Sequence, residues 1–441
     1  MKELVTPKTL SGFRDLSQND ALSKSIMLHR LSQVFLSYGF MPIETPHLEY
    51  ASILVKQGSE EIQKELYRFI DHGGRDVALR FDLTVPLARY VSQHRSDINL
   101  PFKRYAIGSV FRGERAQKGR YREFTQCDFD FIGSDSVSCD AEVIQVMHSA
   151  LSALGLKGFT IWINHRDILN GIFEYFGLSK NIESGLRIID KLDKIGLDSV
   201  KLELQKELML DEARASGICA LISLKQSGSK EEFFQKTAHL RGYNDSLKRG
   251  LENLESTLSL LPQSMEQSSF CINFSIARGL GYYTGIVYES TIAGLESLGS
   301  VCSGGRYDHL TKNFIQENLS GVGASIGVDR LLVALLELGL LNRDSRNKIL
   351  LIAMEASYLH LAHSIARDLR DQGLMVEVYP DITKLKKALS YANSKGHSFS
   401  LIIGESEYAS KTVMLKNMTS GEQQQVAIEK VVDLIKGQQG L

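Results

Sequence analysis

The sequence has one tryptophan, seven prolines and five cysteines in 441 residues, and no surplus of charge of either sign. The cysteines (Cys127, Cys139, Cys219, Cys271, Cys302) are odd in number, widely spaced and never C-x-x-C, which excludes a disulfide framework or a zinc knuckle and points to a reducing cytoplasm. With 51 Lys and Arg against 52 Asp and Glu, no global field gathers a polyanion, so any nucleic-acid contact must come from local basic patches. The longest mostly apolar run, 331–341, contains Glu337 and is too short to cross a bilayer. Residues 1–16 carry no apolar segment, so neither a membrane span nor an export signal is expected. A hydrophobic fraction of 43% and a charged fraction of 23% are those of a chain that folds throughout, and its length predicts about two to four domains.

Apolar residues at helical spacing over 20–38 end at Gly39, and 41–49 reads as an extended segment interrupted by Pro42 and Pro46. A short strand is predicted over 77–81, followed by a helix opened by Pro86 and running to about Val91. Residues 104–111 and 122–132 form the arms of a long antiparallel hairpin. From about 167 to 263 the texture is helical, which predicts an inserted helical stretch. Strand character returns at 271–277, 283–292 and 300–302, with a helix over 328–338. Beyond the polar stretch 342–347, the pattern is strand (349–352), helix (358–372), strand (375–379), helix (382–395), strand (400–403), strand (411–417), helix (425–436), an independent α/β domain.

Chemistry concentrates on the hairpin. Between 103 and 122 lie seven basic residues, Lys103, Arg104, Arg112, Arg115, Lys118, Arg120 and Arg122, against one acid, Glu114. The two-residue strand period puts Phe124, Gln126, Asp128 and Asp130 on one face of the returning strand and Cys127, Phe129 and Phe131 on the other. An aromatic ring, an amide and two carboxylates beside clustered arginines suit a polar substrate next to a polyphosphate, because guanidinium groups fork onto phosphate oxygens and Phe124 offers a ring face to a base. Three more clusters are rich in glycine: Arg278-Gly279-Leu280-Gly281-Tyr282-Tyr283-Thr284-Gly285, Gly304-Gly305-Arg306-Tyr307-Asp308, and 321–330 leading to Arg330. The last fits neither the phosphate-loop nor the dinucleotide fingerprint. His360 and His363 lack a third ligand nearby, and no metal site is expected.

The order of a helix and Pro-ended strand (to Pro46), Phe111-Arg112-Gly113-Glu114, and Gly327-Val328-Asp329-Arg330 resembles motifs 1, 2 and 3 of class II aminoacyl-tRNA synthetases. Within that class, Leu79-Arg80-Phe81-Asp82-Leu83-Thr84, Gly119-Arg120-Tyr121-Arg122-Glu123-Phe124 with Gln126, and the Arg278 and Gly304 segments are similar to the histidyl family. The resemblance implies an α+β fold: an antiparallel-sheet catalytic domain (1–166 and 264–341), a helical insertion (167–263) and a C-terminal α/β anticodon-binding domain (348–441).

The resemblance further implies histidine activation by ATP with Mg²⁺, transfer to tRNA(His), a homodimer formed through motif 1, and no membrane partner. It assigns Arg112 and Arg278 to catalysis. It assigns Asp82, Thr84, Arg112, Gln126, Asp130, Arg278, Tyr282, Tyr283 and Tyr307 to histidine, and Arg112, Glu114, Arg120, Tyr121, Phe124 and Arg330 to ATP. Gln117 and Lys118 are assigned to the acceptor end of the tRNA. One departure stands out: the family usually has an acidic residue where this chain has Gly281, which removes a carboxylate near the imidazole pocket. The alternative reading is the family's non-ligase paralogue, a histidine-sensing regulatory subunit of ATP phosphoribosyltransferase. Such paralogues lack the C-terminal domain.

Overall fold

The computed structural model describes residues 4–55, 60–115, 119–265, 269–279, 283–341 and 348–437. The chain divides into two units, 1–341 and 342–441. The strands of the first unit are β1 (Met41–Pro42), β2 (Leu48–Tyr50), β3 (Arg68–Ile70), β4 (Asp76–Leu79), β5 (Phe102–Phe111), β6 (Glu123–Ile132), β7 (Phe159–His165), β8 (Phe270–Ile272), β9 (Ile286–Ile292), β10 (Cys302–Tyr307) and β11 (Gly321–Gly327). Eight of them form one sheet in the order β1-β5-β6-β11-β10-β9-β7-β8, and β2, β4 and β3 form a small antiparallel sheet. The large sheet is antiparallel except at its margins, where β1 joins β5 and β7 joins β8 in parallel.

One face of the large sheet is the core. Helix Gln18–Ser37, capped by Ser17 through Asp20 N–H, buries Met27, Leu31 and Phe35 one turn apart. Phe35 stacks on Phe129 with ring centroids 5.1 Å apart. Helix Val137–Ala153, capped by Ser136, packs in the same cluster with Cys127, Phe129 and Phe131. The face is apolar because alternate residues of β6 point into it, as the period of two requires. The opposite face is left for chemistry.

Helices between Arg166–Tyr175 and Asp245–Ser259 bury Leu169, Ile172, Phe173, Leu247, Leu251 and Leu254 in a cluster continuous with that sheet core. The C-terminal unit holds β12 (Lys348–Ala353), β13 (Met375–Val378), β14 (Phe399–Ile403), β15 (Thr412–Asn417) and β16 (Gln423–Ala427) in the order β13-β12-β14-β15-β16. Ile349, Leu351 and Ala353 face one apolar cluster and Leu350 and Ile352 another, so both faces of its sheet are covered.

Several boundaries differ from those expected of the sequence. The segment 425–436 is not one helix: Gln423–Ala427 pairs antiparallel with β15 and the helix is Val431–Gly437. A glutamine-rich strand carries no apolar alternation, and its pairing is dictated by the neighbouring strand. Of the expected strand 271–277 only Cys271 and Ile272 belong to β8, and the strand expected at 300–302 is instead Cys302–Tyr307, which takes the Gly304-Gly305 pair into a sheet interior. The helix after β4 starts at Thr84, so Pro86 is its third residue.

Candidate active site

Cross-strand register builds the polar face in rows. Arg104 of β5, Asp130 of β6, Gly323 of β11 and Gly305 of β10 are successive partners. The next row holds Asp128, Ser325, Ser303 and Glu289. The glycines are needed for close approach: a Cβ on Gly323 would lie 2.2 Å from Asp130 Oδ1, and one on Gly305 would lie 2.9 Å from the ring of Tyr283. The sheet is therefore hollowed where Asp130 and Tyr283 lie.

Arg104 is fully buried, and its Nη2 sits 2.7 Å from Asp130 Oδ2. That approach is a charge contact rather than an aligned hydrogen bond. Asp130 Oδ1 accepts from the Tyr307 hydroxyl, so each of its carboxylate oxygens is held from within the protein. Composition alone groups Arg104 with the hairpin cations that suit a polyphosphate. The structure corrects this, because Arg104 lies in the sheet opposite Asp130. Lys103, its neighbour, points to the other face, against Phe40, Phe131 and Glu142. Adjacent strand residues cannot share a face. Hairpin pairing symmetric about position 117 sets Arg104 opposite Asp130, and that symmetry was the available sequence signal.

Burial pushes the Asp128 carboxyl up to about 7; Arg104 opposes the shift and the Asp130 charge adds to it. Burial likewise pushes Asp82 up to about 6, against the Val85 N–H, which donates to Asp82 Oδ1 at 3.0 Å, and the charge of Arg112. Asp130 is also raised, by burial first, with Arg104 and the Tyr307 hydroxyl opposing. Burial raises the Tyr283 hydroxyl well above its ordinary range, so it stays protonated. Thr84 opens the helix two residues after Asp82. Gln126 donates its amide to Ser325 Oγ at 2.9 Å.

Arginines gather on the other side. Arg112 donates to the Phe81 carbonyl at 3.0 Å, and its guanidinium carbon lies 5.1 Å from the Phe124 ring centroid. Arg120 pairs with Glu114 at 3.5 Å. Tyr121 has the Arg14 guanidinium over its ring. Arg330 donates to the Ser300 carbonyl, and burial holds it below its ordinary value, with the charges of Arg120 and Arg278 adding. Arg278 forks onto Glu289, with Nη2 to Oε1 at 2.8 Å and Nε to Oε2 at 3.1 Å. Arg306 is spent on structure, holding Asp140, Ser134 and Ser320, while Asp308 accepts from Thr284 and Ser320. Gln117, Lys118, Gly281 and Tyr282 lie outside the described residues. Sequence reasoning did not find the partners Glu289 and Ser325, nor Arg14; each is fixed by pairing across the sheet or by a contact distant in sequence.

Buried carboxylates on one side of a hollowed antiparallel sheet and converging arginines on the other can hold a cationic amino acid against a triphosphate. Known proteins resemble this chain in both sequence and fold. The family model described as Histidyl-tRNA synthetase matches residues 12–331, and the one described as Anticodon binding domain matches 348–438. A histidine–tRNA ligase of Helicobacter hepaticus is 58% identical over 95% of this chain and 96% of its own length. One of Wolinella succinogenes is 58% identical over 99% and 100%. The crystal structure of a histidyl-tRNA synthetase from Nostoc sp. superposes with a TM-score of 0.89 at 34% identity, covering 99% of this chain and 100% of that one.

Fold and site together define an ATP-dependent class II aminoacyl-tRNA synthetase. Within that class, the chain belongs to the histidyl-tRNA synthetase family.

The raised Asp128 value makes a prediction about stability. A carboxyl whose folded pKa of about 7 exceeds its ordinary value of 3.8 stabilises fully below about pH 4, and that contribution is lost as pH rises through 7. Asp128→Asn removes the ionisation, so its melting temperature relative to the parent should climb between pH 5 and pH 8, by about a few degrees. A difference independent of pH, or one that narrows, contradicts the burial of that charge.

Proposed function

We infer that this chain is a histidine–tRNA ligase that activates L-histidine with ATP and charges tRNA(His). In the first step a histidine carboxylate oxygen attacks the α-phosphorus, the bond to the bridging oxygen breaks, and diphosphate leaves with its electron pair. In the second, a ribose hydroxyl of the 3′-terminal adenosine attacks the activated carbonyl and AMP leaves. The observation that carries the reading is 58% identity, over nearly the full length of both chains, to relatives named histidine–tRNA ligase. The regulatory-subunit reading is less supported, since such paralogues lack a C-terminal domain and this chain matches an anticodon-binding one.

The roles assigned to single residues are part of the proposal. Asp82, Thr84 and Gln126 would take the α-ammonium, and Asp130, Tyr282, Tyr283 and Tyr307 would line the imidazole. The carboxylate oxygens of Asp130, tethered by Arg104 and Tyr307, keep lone pairs for an imidazole N–H. Arg112 would bridge the substrate carboxylate and the α-phosphate. Phe124 would stack on adenine with Glu114 at its edge, while Arg120, Tyr121 and Arg330 flank the outer phosphates. Arg278, oriented by Glu289, would meet the charge that grows on the α-phosphate. Transfer of this kind needs positioning and neutralisation rather than a protein nucleophile.

ATP would enter as its magnesium complex, since Mg²⁺ keeps water and phosphate oxygens as most of its ligands. Among the described residues no three His, Cys, Asp or Glu side chains form a metal cage of their own. Gln117 and Lys118 would reach the acceptor end of the tRNA, with 348–441 on the anticodon, 167–263 as the helical insertion, and 1–166 with 264–341 carrying the chemistry. The proposal includes a cytoplasmic homodimer. Among the described residues no helix is long and apolar enough to cross a membrane.

ATP–diphosphate exchange with each of the twenty amino acids tests the reading. Exchange with histidine alone supports it, and exchange with another amino acid, or none, overturns it. Arg278→Ala should lower kcat for histidine activation by about 10²–10³ with smaller changes in KM, and Arg278→Lys should recover part of the loss. An unchanged kcat with both KM values raised would make Arg278 a ground-state binding residue.

A further inference from the structure

We propose that Arg14 is a positioning residue for the nucleotide, at the centre of an N-terminal strap that joins the two segments carrying the ATP arginines. The proposal rests on the ligase reading for its reaction and on the ATP roles given above.

Arg14 reaches two places far apart in sequence. Its Nη2 lies 2.6 Å from Asp329 Oδ1, and its Nη1 donates to the Tyr121 hydroxyl at 2.9 Å. Its guanidinium carbon sits 3.8 Å from the centre of the Tyr121 ring. Asp329 directly precedes Arg330, and Tyr121 directly follows Arg120, so one side chain ties the base of each arm. The anchor on the Asp329 side is well made. Asp329 is buried, and its other oxygen accepts the Thr125 N–H at 2.7 Å. Lys24 donates to Thr125 Oγ1 at 2.6 Å and lies 3.9 Å from Asp329.

The residues just before Arg14 extend the strap to the remaining arm. The Gly12 carbonyl accepts the Arg122 N–H at 2.8 Å, and the Arg122 carbonyl accepts the Arg112 N–H at 2.8 Å. The Arg122 guanidinium donates to the carbonyls of Ser11 and Glu114. Gly12 has φ +85°, and a Cβ there would lie 2.7 Å from the Arg122 side chain, so the segment lies flat on Arg122. Phe13 meets Tyr67 edge-on, with ring centroids 6.0 Å apart. The segment 11–14 thus sets the spacing between Arg112, Arg120 and Arg330.

Among the described residues, none of its hydrogen bonds goes directly to a residue assigned to histidine; Arg112, assigned to both substrates, is reached only through the Arg122 backbone. A fork that is charged at one end and aromatic at the other needs a planar guanidinium, which an ammonium replaces only in charge.

The test is ATP–diphosphate exchange on the full chain, together with calorimetric ATP binding in the absence of histidine. Arg14→Ala should raise the KM for ATP about tenfold or more, as expected for a lost charge-assisted fork. Its ATP affinity should fall by a similar factor, while the histidine KM stays within about twofold. Arg14→Lys, which keeps a cation for Asp329, should fall between the two. A folded Arg14→Ala variant with unchanged ATP affinity overturns the proposal, as does a parallel rise in both KM values, which marks a merely structural role. Should the alanine variant fail to fold, Arg14→Lys and Asp329→Asn carry the same comparison: a selective loss of ATP affinity supports the strap and none refutes it. Absence of exchange in the parent defeats the ligase reading instead, and the binding arm still decides the strap.

Discussion

The contact between Arg104 and Asp130 is the constraint around which the active face is arranged. Both groups are out of water, where an unpaired charge costs several kcal/mol, and each is tolerated because the other is there. Their pairing fixes the hairpin register, since a one-residue slip would turn Asp130 into the apolar core beside Phe129 and Phe131. The same pair requires glycine at 323 beside it, and it gives the Tyr307 hydroxyl a buried acceptor. β10 is thereby tied to the hairpin by a polar contact that reaches across β11, and β11 joins the two through its ladders.

Charge is sorted across the face. Asp82, Asp128 and Asp130 cluster at one end, and burial raises all three carboxyls. On the proposed reading, an ammonium placed among them would favour the charged form of each carboxyl and so oppose the effect of burial. At the other end Arg120 and Arg278 stand near enough to Arg330 to disfavour its charge. An anionic triphosphate would relieve that repulsion. On the proposed reading each end takes the opposite charge, and the reacting carboxylate and phosphate would meet at the boundary.

How much of this was legible in the sequence varied with the range of the interaction. The alternation along 124–131 separated the polar from the apolar face, and the helix–strand alternation after 348 marked out a second unit, because both patterns are local and driven by burial. The glutamine-rich 423–427 carries no such pattern, and its strand exists because β15 offers an edge. Lys103 and Arg104 form one basic cluster in sequence, and the pleat sends them to opposite faces. Arg14 carries no local signal at all, since its partners lie more than a hundred residues away. Candidate site residues were legible through resemblance to the family. The residues that hold them, Arg104, Glu289 and Ser325, required the register of the folded sheet.

A double-mutant cycle on Arg104 and Asp130, followed by equilibrium unfolding, tests the central claim most directly. Arg104→Met strands a buried carboxylate, and Asp130→Asn strands a buried guanidinium while keeping an acceptor for Tyr307. Each single change should cost about 3–5 kcal/mol. The double variant, with neither charge left in the interior, should be more stable than either single variant. If the two losses simply add, the charges do not depend on each other and the active face is organised by something else.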